Sequence, residues 1–437
     1  MSPTLVAALA IGAVLVIAVG NAPLTVTRRT ALLLIVAGLL ALPTDAQVAL
    51  LAAVAVVAAF VVDAVLARRP PVVRRTVPGV LARGVPASLT VDASAPTAGR
   101  LRVRQPQVPD IAVDPPEADG GLDARVTARR RGRHVLPVVA ARVDGPLRLA
   151  SWYREGRAPA ELLVYPDVPA ARRLALAVRR GRFGDEGRRT RGPLGLGTDF
   201  ESIREYLPDD DVRRVNWPAS QRAGRPMTNQ YRVEQDRDVV CVVDCGRLMA
   251  APVGDATRLD VALDAVTAVA LVADEVGDRV GVVAFDSTIR RELRPRRAGG
   301  DRVVRAIFDL EPTDVDADYE HAFRRIGSKR ALVVVLTDLL EEAAAQPLVD
   351  AVPVLARRHA VVVAGATDPD LTALVSNEPA APADVYAAAV ALDVLSARRE
   401  VAARLRHAGA DVLEAPPRSL PAACVSAYLR AKARARL

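Results

Sequence analysis

Two apolar runs in this chain end on carboxylates. Asp238–Met249 reads DVVCVVDCGRLM and stops at Asp244, and Ala331–Thr337 runs into the pair Thr337-Asp338. Runs of this length, bounded by charge and glycine, predict buried parallel strands. A carboxylate at the carboxyl end of such a strand stands where open α/β sheets bind ligands. The competing role is structural, with Asp244 and Asp338 capping adjacent helix starts and satisfying loop amides. Cys245 is a conceivable nucleophile, activated by a neighbouring helix start, but the sequence suggests no histidine partner. His134, His321, His359 and His407 are far apart, and no GxSxG elbow, HExxH helix or P-loop is present. The expectation is a protein that is not an enzyme, with an unrecognised hydrolase in the cleft above the sheet as one alternative.

The elements that must position these residues follow from the periodicity. From Asp238 onward, strand and helix periods alternate in the manner of a doubly wound sheet. Strands are expected at Asp238–Asp244, Arg279–Phe285, Ala331–Thr337, Ala360–Ala366 and Ala410–Glu414, with Ile289–Leu293 as a short edge strand. Helices are expected at Arg258–Val276, Asp301–Leu310, Tyr319–Arg325, Pro347–Arg358, Val385–Ala408 and Leu420–Ala435. Between Val72 and Tyr165, short alternating segments such as Ser88–Val91, Leu101–Val103, Arg125–Ala128, Val135–Val143 and Leu162–Tyr165 alternate with turn residues. They predict a small β-sandwich. The basic run Arg129-Arg130-Arg131-Gly132-Arg133 reads as a solvated hairpin.

The 437 residues carry a net charge of +8, nearly all of it from arginine. Arginines scattered without interleaved aromatics do not make a base-stacking surface, so no nucleic-acid partner is expected. Cys241, Cys245 and Cys424 form no CxxC pair, which argues against a disulfide framework or structural zinc and for a reducing compartment. Three apolar runs, Leu5–Val19, Ala31–Leu42 and Ala46–Leu66, predict an α-helical membrane anchor of about three transmembrane helices, a span needing about 20 residues. Arg28, Arg29, Arg68, Arg69, Arg74 and Arg75 would lie on the inner side. This places the chain in the lipid bilayer of the cell membrane as a multi-pass protein with cytoplasmic soluble domains. Asp63, near the end of the third run, would snorkel or sit at the interface.

Gly192–Ser220, GPLGLGTDFESIREYLPDDDVRRVNWPAS, is dense in charge and turn residues around a Trp217 that reads as buried. No strand precedes its glycines, so a dinucleotide fingerprint is rejected. Its alternating charges predict a local ion-pair network. The segment resembles the signature of the bacterial family called domain of unknown function 58. The match is carried by Phe200, Arg204, Glu205, Tyr206, Asp210, Asp211, Arg213 and Trp217, with Asp209 where that family usually has glycine. The resemblance implies a MoxR-type AAA+ ATPase as partner.

The run ending at Asp244 also resembles the first strand of a von Willebrand A-type domain, whose metal-ion-dependent adhesion site opens with Asp-x-Ser-x-Ser. That resemblance implies three metal loops. Here they hold Asp244 with Gly246 and Leu248 in place of the serines, Asp318 after Ala317 in place of threonine, and Asp338. Two carboxylates and water would hold Mg²⁺ weakly; in the alternative, Arg247 would neutralise the pair instead. The expected order is therefore a membrane region (1–69), a β-rich domain (70–170), a linker with the family signature (171–237) and an α/β doubly wound von Willebrand A-like domain (238–437). The expected function is a non-enzymatic interaction or scaffold protein, anchored in the membrane and holding no cofactor. Mg²⁺-dependent ligand binding through the residual site is the other alternative.

Overall fold

The computed structural model describes residues 12, 23–39, 46–95, 99–156, 158–181, 199–207, 210, 212, 215–232, 237–339, 342–378 and 380–433. The chain divides into two compact units, Met1–Val164 and Tyr165–Leu437.

The first unit is built mostly of strands. In chain order it holds β1 (Leu24–Val26), α1 (Arg28–Leu39), α2 (Ala46–Leu66), β2 (Val72–Thr76), β3 (Val80–Ala82), β4 (Ala87–Ser94), β5 (Leu101–Arg104), β6 (Ile111–Asp114), β7 (Glu117–Asp119), β8 (Gly121–Ala128), β9 (Gly132–Leu136), β10 (Ala140–Asp144), β11 (Ala150–Glu155) and β12 (Ala160–Tyr165). They form sheets ordered β1-β11-β10-β5-β7, β2-β4-β8-β6 and β3-β12-β9. Alternate residues point inward, as the two-residue period of a strand requires. Leu89, Val91, Val103, Val126, Val143 and Leu162 thereby fall into one apolar core.

The expected α-helical membrane anchor is not what the structure contains. Among the described residues no helix is long and apolar enough to cross a membrane, so the multi-pass placement in the cell membrane is withdrawn. The first apolar run lies almost wholly outside the described residues. Among the described residues the second gives the 12-residue α1, about 18 Å of helix. The third gives α2, whose far half is docked into the strands: Phe60 and Ala64, with Ala67 just beyond the helix, are buried in the same core.

The physical reason is Asp63. Its side chain is fully buried and accepts backbone N–H bonds from Leu147 (2.7 Å), Leu149 (2.7 Å) and Ala150 (2.9 Å). The Trp152 indole N–H donates to the carbonyl of Ala64 at 2.8 Å. Gly145 must be glycine here, because a Cβ at that position would come within 2.2 Å of the Asp63 carboxyl. The residue expected to snorkel is thus the polar clasp of a packed helix.

The second unit begins with α3 (Val168–Arg179), then the pair β13 (Asp199–Glu205) and β14 (Met227–Arg232) with α4 (Trp217–Ala223) between them. There follow β15 (Asp238–Asp244), the short pair β16 (Pro252–Val253) and β17 (Ala256–Thr257), α5 (Arg258–Val276), β18 (Arg279–Phe285), β19 (Ile289–Arg296), α6 (Gly300–Ile307), α7 (Tyr319–Phe323) and β20 (Ala331–Leu336). The chain continues through α8 (Glu342–Ala356), β21 (Ala360–Ala366), α9 (Pro369–Ser376), α10 (Pro382–His407), β22 (Asp411–Ala415) and α11 (Leu420–Ala433).

Six strands make one sheet in the order β19-β18-β15-β20-β21-β22, parallel throughout except for the antiparallel edge strand β19. β15, β18, β20 and β21 are apolar on both faces because apolar clusters cover both sides, the usual condition of parallel strands. α5 starts sharply because Thr257 and Asp260 form a reciprocal capping box. It stops at Gly277, whose φ of +85° suits glycine.

β15 is the first strand and lies at the centre. The chain passes to β18 on one side and later to β20 on the other. The carboxyl ends of β15 and β20 therefore flank the switch point at which open α/β sheets place ligands.

Candidate functional site

Asp244 ends β15 and is buried. Its Oδ1 accepts the Gly246 backbone N–H at 2.7 Å. Its Oδ2 accepts the hydroxyls of Thr337 (2.7 Å) and Tyr319 (2.9 Å), which lie 2.8 Å from each other. Burial pushes the Asp244 carboxyl above its ordinary value, and the Gly246 amide with the two hydroxyls draws it back only in part. The Tyr319 hydroxyl, buried beside this carboxylate, is pushed well above its usual value.

Asp338 follows β20 and sits between two buried arginines. Oδ1 accepts from Arg258 Nη1 (3.1 Å), Arg398 Nη2 (3.2 Å) and the Leu339 amide (2.9 Å). Arg258 Nε pairs with Oδ2 at 3.0 Å. Both arginines also donate to the carbonyl of Ala366. Arg258 reaches Asp368 at 3.1 Å and Arg398 reaches Glu414 at 2.7 Å. Burial pushes the Asp338 carboxyl up, and the two guanidinium groups pull it back toward the charged form. Two cations and three carboxylates are thus gathered at the ends of β20, β21 and β22. Desolvation of a charge is expensive unless it is paired and hydrogen-bonded, and each of these groups has a partner.

The other candidates fall elsewhere. Asp318 is exposed and caps α7 by accepting the His321 amide at 2.9 Å. Arg247 does not neutralise Asp244 or Asp338 as expected. It pairs with Asp316 at 3.3 Å, while Arg258 and Arg398 neutralise Asp338 and not Asp244. Cys245 is buried, its thiol 3.9 Å from the Val243 carbonyl.

Sequence reasoning missed Asp286, a buried carboxylate after β18. It accepts the Thr288 amide (2.8 Å) and hydroxyl (2.9 Å), with Thr313 and Arg290 at 3.3 Å. Burial raises this group, but those donors outweigh it and hold the carboxyl below its ordinary value.

These residues do not fit a divalent cation of the A-type kind. Mg²⁺ demands near-octahedral oxygen coordination, whereas Asp338 is enclosed by guanidinium groups and Asp244 by three donors. A serine at position 246 is sterically refused, since a Cβ there would lie 2.9 Å from the Val315 carbonyl. Among the described residues no cluster of three or more His, Cys, Asp or Glu side chains is arranged to hold a metal.

A pH test isolates Asp244. Its folded-state pKa is raised, so its contribution to stability is complete below the ordinary carboxylate value and is lost as pH rises through the raised one. Asp244→Asn removes that titration. The stability of wild type relative to Asp244→Asn is therefore expected to fall with rising pH, beginning near the ordinary Asp value of about 4. Urea midpoints for both proteins across that range measure it, and parallel curves would contradict the assignment.

The described part of the signature segment holds β13, which pairs with β14 beyond it, and the first residues of α4. Arg204 grips Asp210 with two bonds of 2.6 and 2.7 Å. Tyr206 donates its hydroxyl to the Asp210 carbonyl at 3.0 Å, and the Leu207 amide donates to the Asp210 carboxylate at 2.8 Å. Glu205 pairs with Arg225 at 3.2 Å. Phe200 lies on β13, paired with Tyr231. Asn216 caps α4 through the Ala219 amide and donates to Asn229 Oδ1 at 2.8 Å. Trp217, expected to be buried, is 69% exposed. Asp211 and Arg213 lie outside the described residues.

Residues 202–402 match the family described as protein of unknown function DUF58. An uncharacterized protein of Mycobacterium tuberculosis (strain ATCC 25618 / H37Rv) and one of Mycobacterium bovis are each 26% identical over 154 residues, covering 33% of this chain and 48% of their own. The chain thus spans about half the length of the curated relatives it matches. A solved structure titled as an uncharacterized membrane spanning protein from Vibrio fischeri is 14% identical. It covers 46% of this chain and 98% of its own with a TM-score of 0.14, too low to support an argument. No von Willebrand A designation accompanies the matched family or these relatives, and the loops do not make the adhesion-site metal geometry. The A-type label is accordingly set aside, and the unit is described by its doubly wound sheet.

Proposed function

We propose that this chain is a non-enzymatic interaction or scaffold protein that works with a MoxR-type AAA+ ATPase, the ATPase supplying any ATP-driven work. The observation that carries the reading is Trp217, a large aromatic held 69% exposed on a hydrogen-bonded frame. Large aromatics are enriched among the anchors of protein interfaces. The signature residues support this by what they touch. Arg204, Tyr206 and Asp210 spend their polar groups on one another and on the adjacent backbone, which ties Asp210 to the end of β13. The filled carboxyl end of the sheet supports it as well. Asp244 and Asp338 are engaged by donors and cations, and Cys245 is buried, so the groups most suited to chemistry are committed to structure. The ATPase itself enters through the resemblance of the signature segment.

The test is capture of a purified MoxR-type ATPase by the immobilised full chain, with and without ATP. Wild type is expected to retain the ATPase, and Trp217→Ala to weaken capture by about 30-fold, the loss of a hot-spot side chain worth about 2 kcal/mol, at an unchanged melting temperature. No capture by wild type in either nucleotide state overturns the partnership. Equal capture by Trp217→Ala overturns the role of Trp217.

A further inference from the structure

Two surfaces at opposite edges of the six-stranded sheet are complementary in both charge and apolar content. The first is the hairpin of α9 and α10. Between His359 and Ala397 the chain has no lysine or arginine but carries Asp368, Asp370, Glu378, Asp384 and Asp393, within a protein of net charge +8. α9 buries no residue, and α10 buries only Ala391 ahead of Arg398, Val401, Ala402 and Leu405. The first 16 residues of α10, about 24 Å of helix, therefore carry almost none of the core. They hold Tyr386 at 76% and Val390 at 64% exposure, one helical turn apart. Singly exposed apolar residues need no explanation, but Leu374, Val385 and Leu392 are exposed on the same hairpin.

The second surface is the edge strand β19 with α6. Arg290–Arg305 holds seven arginines against two acidic residues. A cleft of about 190 Å³ lies between strand and helix, with Val280, Leu293 and Val303 in its wall and Arg294, Arg296 and Arg302 beside them. Charge along an edge strand discourages indiscriminate strand pairing. Here it also surrounds an apolar recess.

β19 is separated from β21 and β22 by four and five strand spacings, roughly 19–24 Å. We infer that the acidic, apolar α9–α10 hairpin of one molecule docks on the arginine-rimmed β19–α6 cleft of a second copy, with Tyr386 and Val390 facing the recess and the flanking carboxylates facing Arg294, Arg296 and Arg302. The contact is heterologous, since two different patches meet, so repetition builds a ring or a filament rather than stopping at a dimer. Self-association is independent of the ATPase partnership and is measured without any ATPase present.

The experiment is sedimentation of the full chain in three forms: wild type, an edge variant (Arg294→Glu with Arg296→Glu) and a hairpin variant (Tyr386→Ser with Asp393→Lys). All four positions are exposed, and matching melting curves confirm folding. Wild type is expected to grow in mass with concentration beyond a dimer. Its association should weaken by tenfold or more when ionic strength rises from about 0.05 to about 0.5 M, as screening predicts. Each variant alone is expected to be monomeric. Mixed one to one, the two variants should form a dimer and nothing larger, because each retains the half that the other lost. A wild type that stays monomeric up to about 100 µM, variants that associate like wild type, or a mixture of folded variants that stays monomeric overturns the proposal.

Discussion

Asp338→Ala is expected to lower the unfolding free energy of the α/β unit by about 3–5 kcal/mol, the range for breaking a buried ion pair by removing one partner. The carboxylate is shared by Arg258 and Arg398, both nearly inaccessible to solvent. Removing it leaves two guanidinium groups with Asp368, Glu414 and the Ala366 carbonyl as their remaining acceptors. Urea unfolding followed at this unit's transition measures the loss. The triple variant Arg258→Met, Asp338→Leu, Arg398→Met separates pairing from packing, because apolar replacement of a whole buried ionic cluster is often neutral or stabilising. A loss below about 1 kcal/mol in Asp338→Ala would show that the cluster is hydrated like a surface pair.

Asp63→Ala is expected to destabilise the β-rich unit by roughly 3 kcal/mol or more. Three amide donors lose their acceptor at once, those of Leu149 and Ala150 buried and that of Leu147 partly so, and each orphaned buried group costs about 1–3 kcal/mol. Asp63→Asn should fall between alanine and wild type. Its single carbonyl can serve Leu149 and Ala150, while its NH₂ faces the Leu147 amide, another donor. Thermal unfolding gives the size of the effect, and amide hydrogen exchange gives its place. Protection should drop first at residues 147, 149 and 150. Unchanged exchange there would contradict the clasp.

What could be read from the sequence divides along a physical line. β15 and β18 match their expected bounds to the residue because a parallel strand covered on both faces is a continuous apolar run cut off by charge. α5 begins at Arg258 as expected, because Thr257 and Asp260 announce the cap locally. The partners of the charged residues were not legible. Arg258 and Arg398 are 140 positions apart and each looks like an ordinary surface arginine on a helix, yet both converge on Asp338. α9 is absent from the helices expected from periodicity, although Asp368-Pro369 carries the signal of a capped helix start. Trp217 departs from the burial usual for an aromatic residue, and nothing in its neighbours says which way the first residue of a short helix faces. The apolar run of α2 has the composition of a membrane span. What reassigns it is a set of amides more than eighty residues downstream, which no local window contains.

That separation has a consequence during synthesis. The acceptor on α2 meets its last donor 87 residues later in the chain, and ribosomes add about 5–20 residues per second. For about 4–17 s the nascent chain therefore carries an apolar helix with an unmatched carboxylate, before β11 exists to receive it. In that interval the segment is a natural client for a chaperone, and translation speed across the β-rich region should set how much of the protein reaches its folded form.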